Sequence, residues 1–323
     1  MEKRAAWDLF WSYDRLSSFG TGSGAGNYGE PIAAGWREFF ALLPAGSRVL
    51  DLCTGNGAIA VMAVESGDKL KVTGADLAAV HPAGFVSGSK PALRKVRFLA
   101  GTPAEHLPIE DACFGAVVSQ YGIEYSDMAL SLPEAVRVLA PCGRLRFAVH
   151  AAEGTVSALT RGAIADADFL LDEIDLPGRA TACFQAILDV ERGRASGPLA
   201  QTAAQARYAA FRDGLKALAE RIAAAADVAM LESVHRSMTE LFQKRQAHDE
   251  AALNGKVAAL RAEIDAHRER ERALLAAARS DEEMAALAGQ LEVLGLTDIV
   301  RGDQRNGGDL IGYVVEARRQ LQG

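Results

Sequence analysis

Cysteine is scarce. Only four occur in 323 residues, Cys53, Cys113, Cys142 and Cys183, and no two form a Cys-x-x-Cys pair. Such scatter gives neither a disulfide framework nor a clustered thiolate set, so no metal is expected, and a reducing cytoplasm is the expected setting. Long apolar runs are also missing, and none approaches the roughly 20 residues needed to cross a bilayer. The N-terminus, MEKRAAWDLFWSYDRLSSFG, is aromatic and mixed in charge and lacks the apolar stretch of a signal peptide. Basic charge is not in excess: 35 Lys and Arg stand against 42 Asp and Glu, a net charge of −7. Neutralising phosphates takes clustered cations, so nucleic acid is not an expected partner. What is present is ordinary globular material, 49% hydrophobic and 24% charged, which argues against disorder. The length exceeds one ordinary domain and falls short of three.

Three zones follow along the chain. Residues 1–46 form a leading segment rich in aromatics. Residues 47–150 alternate short apolar runs with turn signals and helical stretches, the pattern of βαβ units on a parallel sheet. The strand candidates are 47–53, 70–76, 95–101, 114–120 and 143–150, all near-continuous apolar runs suited to strands covered on both faces. Residues 151–290 are rich in Ala, Leu, Glu, Arg and Gln, which predicts an all-helical insertion. Within it Leu253, Val257, Leu260, Ile264 and His267 step by four and three, and Leu215, Leu218, Ile222, Ala225 and Ala229 form a second stripe. Residues 291–323 return to strand character. Segments 297–303 and 309–317 flank Asn306-Gly307-Gly308, which predicts a closing hairpin.

Chemistry concentrates in VLDLCTGNGA, residues 49–58, where a strand opens into a helix. Glycines at such a junction let the backbone approach a ligand and leave helix N-terminal N–H groups free. A diphosphate site would read G-x-G-x-x-G. Here only Gly55 and Gly57 fit, and Asp51 stands at the strand end, where a carboxylate repels a diphosphate and suits an amino group. Asp76 closes the next strand, where a carboxylate can accept from both hydroxyls of a ribose. The pair points to a nucleoside with a cationic amino-acid arm.

VLDLCTGNGAIA, VTGAD and GTPAEHLPIEDACFGAVVSQYGIEY, in that order and spacing, resemble the class I S-adenosylmethionine-dependent methyltransferases over residues 47–150, and the closing hairpin extends the likeness to the C-terminus. The resemblance implies a doubly wound α/β fold, a seven-stranded, mostly parallel, Rossmann-like sheet with an antiparallel last strand. It implies S-adenosylmethionine as cofactor and S-adenosylhomocysteine as product. Carried over by position, Asp51, Cys53, Thr54, Gly55, Asn56 and Gly57 hold the methionine end, Asp76 holds the ribose, and Leu77 packs on the adenine. Ala104 and Glu105 flank the adenine edge, and Gln120 and Tyr121 lie near the sulfonium and the acceptor. The family often has glycine at the position of Cys53, so Cys53 adds a side chain under the loop. Thr102 and Pro103 stand where many members carry an acid. Residues 78–92 are rich in Gly, Ser and Pro, so the helix after the second strand is expected to be short or irregular.

On the acceptor side, His150 ends the fifth strand and is the first candidate base, with Gln120, Tyr121 and Glu124 completing the catalytic set. Tyr13, Tyr28 and Tyr125 are the candidate acceptor contacts. Trp7, Phe10, Trp11 and Phe19, together with the glycine-rich 20–26, read equally well as a lid over the site and as a helix docked on the core. The insertion, with Phe169, Leu170, Phe184, Phe211 and Met230, is expected to roof the acceptor pocket or to serve as a surface for a homodimer or protein partner. Methyl transfer to a small-molecule or lipid-like acceptor at O or N is the leading expectation. A non-catalytic scaffold and a protein methyltransferase are the alternatives. The sequence Ser119-Gln120-Tyr121-Gly122 lacks the Asn-Pro-Pro-Tyr-type motif of amide methylation.

Overall fold

The computed structural model describes residues 3–18, 26–67 and 69–321. Phe19 and all but the last residue of the glycine-rich 20–26 lie outside the described residues. The chain divides into two compact units, a sheet unit of residues 2–158 and 273–323 and a helical unit of residues 159–272.

The sheet unit holds β1 (Arg48–Leu52), β2 (Lys71–Asp76), β3 (Arg97–Ala100), β4 (Phe114–Gln120), β5 (Leu139–His150), β6 (Leu296–Asn306) and β7 (Asp309–Arg319). They form one seven-stranded sheet in the order β3-β2-β1-β4-β5-β7-β6. β1 to β5 pair in parallel, and β7 runs antiparallel to both β5 and β6. The closing hairpin turns through Gly307, whose φ of 62° suits glycine. Strand order reverses between β1 and β4, and in an open α/β sheet ligands bind outside the strand carboxyl ends at such a reversal. Leu52 and Gln120 are the last residues of those two strands.

Helices number, in chain order, α1 (Lys3–Trp11), α2 (Ile32–Ala41), α3 (Ala58–Glu65), α4 (Pro82–Phe85), α5 (Lys90–Leu93), α6 (Met128–Val138), α7 (Thr155–Asp168), α8 (Leu176–Glu191), α9 (Pro198–Ala224), α10 (Ala229–Gln243), α11 (Glu250–Ala277) and α12 (Asp281–Val293). As the composition of 78–92 predicts, only two single-turn helices, α4 and α5, follow β2.

Alternating strand residues separate two cores. Leu50, Leu52, Val117, Leu145, Phe147 and Val149 pack with α6 and α12 on one face. Val49, Ala116 and Val118 pack with Trp36, Phe39 and Phe40 of α2 and with α3 on the other. α2, in the leading segment 1–46, is part of the core, and Met284, Leu287 and Leu291 of α12, within the stretch 151–290 expected as the insertion, bury themselves against the sheet.

The helical unit has its own core. Leu170, Phe184, Phe211, Leu218, Leu231, Val234, Met238, Leu253, Val257 and Ile264 are buried together, with Phe169 and Met230 partly buried against them. The side chains expected to line an acceptor pocket are therefore spent on this core. The stripe 215–229 is broken, since α9 ends at Ala224 and α10 begins at Ala229.

Candidate active site

The loop after β1 is built around two buried carboxylates. Asp51 is 1% exposed, and its Oδ2 accepts from the Thr54 hydroxyl at 2.5 Å. Asp76 accepts from the backbone N–H of Gly55 at Oδ2 and of Ala78 at Oδ1, both at 2.8 Å. Burial penalises charge and pushes the Asp51 carboxyl up to about 7 and that of Asp76 up to about 6. These groups sit within reach of ionisation at neutral pH and gain from any cation or hydroxyl donor that joins them.

Two cavities open at the carboxyl ends of β1, β2 and β4. The larger, about 450 Å³, is lined by Asp76, Leu77, Ala78, Ala104, Glu105, Gly122, Tyr125 and Ser126, and from α1 by Arg4, Trp7 and Trp11. The smaller, about 20 Å³, is lined by Asp51, Thr54, Ala58, Ile59 and Gln120, with Leu16, Ser18 and Tyr28. Trp11, Cys53 and Tyr121 line both. Tyr28 is buried and bonded to the Ser18 hydroxyl at 2.7 Å, and burial pushes its phenol up to about 12.

The strand ends carry backbone strain where the cavities meet. Cys53 has φ 54° and Tyr121 also φ 54°, the left-handed region that costs a side chain about 1 kcal/mol. Cys53 therefore stands at a position that favours glycine, as its departure from the family pattern implies. Gly122 compensates: a Cβ there would lie 2.5 Å from the Cys53 Cβ.

Residues 49–143 match the family model described as a methyltransferase domain. The chain carries a class I S-adenosylmethionine-dependent methyltransferase domain. A demethylmenaquinone methyltransferase of Thermus thermophilus is 41% identical over 108 residues, 32% of this chain and 48% of that protein. An uncharacterized methyltransferase of Mycobacterium bovis is 34% identical over 173 residues, 51% of this chain and 66% of that protein. The chain thus spans about half to two thirds of the length of these curated relatives. Among solved structures, a SAM-dependent methyltransferase from Aquifex aeolicus aligns with 38% of this chain and 65% of that one at 21% identity and a TM-score of 0.33.

The methyltransferase domain's residues fit S-adenosylmethionine. Each carboxylate oxygen keeps a second lone pair beyond the bonds it accepts from the loop, so Asp76 can still take ribose hydroxyls and Asp51 an ammonium. The larger cavity has nucleoside size, and its lining includes Leu77, Ala104 and Glu105, the residues that the resemblance sets beside an adenine.

Other expected residues are used differently. Gly55, Asn56 and Gly57 line neither of these cavities. Asn56 Nδ2 instead donates to the backbone oxygens of Trp11, at 3.0 Å, and Arg15, at 2.8 Å. Gly57 caps α3 at φ 90°, against the Phe98 ring. Gln120 lines the smaller cavity, but its amide accepts from Trp36 Nε1 at 2.7 Å and donates to Gln304 at 2.9 Å. Gln304 also accepts from the Tyr121 hydroxyl at 2.5 Å. Tyr13 is 44% exposed and lines neither cavity, whereas Tyr28 and Tyr125 each line one.

His150 and Glu124 do come together. Glu124 Oε1 lies 2.8 Å from His150 Nδ1 and accepts the His150 backbone N–H at 3.1 Å. Both side chains are buried, and the Tyr121 ring stacks on the imidazole at a centroid distance of 4.3 Å. Neither lines the two cavities, so they stand behind Tyr121. Sequence reasoning gave no site role to Arg4, Ala78, Trp36 or Gln304. The aromatic spacing of Trp7 and Trp11 was the only signal toward this wall, and Gln304 lies on the late hairpin, far from any motif.

Proposed function

We propose that the domain transfers a methyl group from S-adenosylmethionine to a small-molecule acceptor at oxygen or nitrogen. The observation that carries the reading is the pair of neighbouring cavities that share Trp11, Cys53 and Tyr121 in their walls, with a ribose acceptor, Asp76, lining one and an ammonium acceptor, Asp51, lining the other. The cofactor supplies an electrophilic methyl on a cationic sulfur. The protein's work is then to align donor and acceptor and to exclude water. Trp7 and Trp11 close one wall, and Trp7 meets Tyr125 edge to face at 5.2 Å. Glu124 Oε1, 2.8 Å from His150 Nδ1, orients the imidazole. His150 thereby supports the Tyr121 ring stacked on it. The demethylmenaquinone methyltransferase among the relatives supports a small acceptor over a protein one.

The test is calorimetric titration with S-adenosylmethionine, followed by transfer of labelled methyl to a panel of small phenols, quinols and amines and, separately, to protein. Micromolar cofactor binding, weakened at least tenfold by Asp76→Asn, with label on an organic-extractable product, is expected. Absence of cofactor binding, or label on protein alone, overturns the reading.

A further inference from the structure

β4 stops short of the end of β5. Its last pairing sets Gln120 beside Ala148, and the Tyr121 N–H still reaches the Ala148 carbonyl at 2.7 Å. His150 lies beyond that point. Buried backbone groups need partners, and two residues from elsewhere in the chain partner those of His150. Glu124 Oε1 accepts the His150 N–H at 3.1 Å and lies 2.8 Å from its Nδ1. The His150 carbonyl accepts from the Arg279 N–H at 2.8 Å, and the Arg279 carbonyl accepts from the Ala152 N–H at 2.8 Å. Arg279 thereby makes a single parallel bridge with Ala151.

The Arg279 side chain completes a circuit. The residue lies between α11 and α12, and its side chain is 26% exposed. Its Nη2 donates to the Glu124 carbonyl at 3.4 Å and lies 3.7 Å from Met128 Sδ, while its Nη1 pairs with Glu283 at 3.4 Å. Glu124 is the middle residue of the 3₁₀ turn Ile123–Tyr125, and a basic side chain is a natural partner for a carbonyl at the end of such a turn. Glu124 thus bonds to His150, His150 to Arg279, and Arg279 back to Glu124. Tyr121 stacks on the imidazole at 4.3 Å, and Tyr125 meets it edge to face at 6.1 Å. Both tyrosines, with Gly122 and Ser126, line the larger cavity.

We propose that Glu124, His150 and Arg279 form a clasp that fixes the cavity wall from Tyr121 to Ser126, with Arg279 as a positioning residue for methyl transfer. Arg279 lines neither cavity, so it acts through Glu124 and the turn. Displacing a reactant by about 1 Å is enough to slow an aligned displacement, so a wall that loosens costs rate. The proposal rests on the methyl-donor reading above.

Arg279→Met tests this, because it keeps the length of the side chain and both backbone bonds and removes the donors. Arg279→Lys restores a donor, and Arg279→Ala provides a second donor-free variant. Each full chain is compared with wild type, with circular dichroism confirming its fold. The readouts are the S-adenosylmethionine dissociation constant, kcat and KM for the phenol, quinol or amine that wild type methylates, and amide hydrogen exchange over residues 121–128. Arg279→Met is expected to lower kcat/KM for the acceptor about tenfold and to quicken that exchange about tenfold, with the cofactor constant within about twofold of wild type. Arg279→Lys is expected to recover most of both. Equal loss for cofactor and acceptor would mean that Arg279 only supports the fold, and would overturn the positioning role. Unchanged kcat/KM in both donor-free variants would overturn it as well. Failure of wild type to bind the cofactor would instead overturn the methyl-donor reading, and exchange over 121–128 in the ligand-free variants would still decide whether the clasp holds the turn.

Discussion

The buried Asp51 carboxyl imposes a cost on the fold at high pH. Burial raises this group from 3.8 to about 7. A raised group contributes stability that is fully present below pH 3.8 and is lost as pH rises through 7. Above that point the folded protein must carry a buried charge. Asp51→Asn removes the charge and keeps an oxygen for the Thr54 hydroxyl. The variant is therefore expected to be more stable than wild type at pH 8, by on the order of a few kcal/mol, with the advantage vanishing near pH 4. Denaturant melts of the ligand-free protein across that range measure it. The same variant should bind S-adenosylmethionine more weakly at every pH, because an amide cannot pair with the ammonium. A destabilised pH 8 melt would show that Asp51 is a structural carboxylate and not a binding one.

At the scale of elements, the leading segment is tied down by polar contacts from several directions. Asp8 accepts from Ala79 N–H at 2.7 Å, Asp14 accepts from Ser87 N–H at 2.8 Å, and Asn56 donates to Trp11 and Arg15. These bonds join α1 and the residues after it to the loops following β1 and β2. Asn56→Ala deletes the two central ones. Hydrogen exchange over residues 3–18 is expected to quicken at least tenfold, with β1, β4 and β5 unchanged, and cofactor affinity to fall several-fold. Exchange that stays slow would mean that the aromatic packing of Trp7 and Trp11 alone holds the segment.

The five parallel strands were legible in the sequence because each is a near-continuous apolar run bounded by turn residues, and Asp51 and Asp76 because they stand at the ends of such runs. The role of Asn56 was not legible: its motif position points to the ligand, while its amide faces a segment some 40 residues earlier in the chain. Nothing local encodes that partner. The same holds for Gln304, which joins Gln120 and Tyr121 from a hairpin whose own pattern speaks only of strands.

For the whole molecule, each unit has a separate set of buried side chains, and the helical unit's set centres on Phe211. Its ring meets Phe184 at 5.5 Å and Phe242 at 5.8 Å, and it is 1% exposed. The heptad steps of α11 foretold a packed seam, and Leu253, Val257 and Ile264 are indeed buried. They could not foretell that Phe184 and Phe211 would be consumed in that seam, because periodicity fixes a face and not what covers it. Separate cores predict separable unfolding. Phe211→Ala leaves a cavity where a large ring stood, and should destabilise the helical unit by about 3–5 kcal/mol. S-adenosylmethionine, binding among residues of the sheet unit, should raise that unit's transition by mass action. In calorimetric scans, Phe211→Ala should therefore lower one transition while the ligand raises another, and cofactor affinity should stay within twofold of wild type. A single transition moved by both perturbations would mean that the two cores melt as one cooperative body.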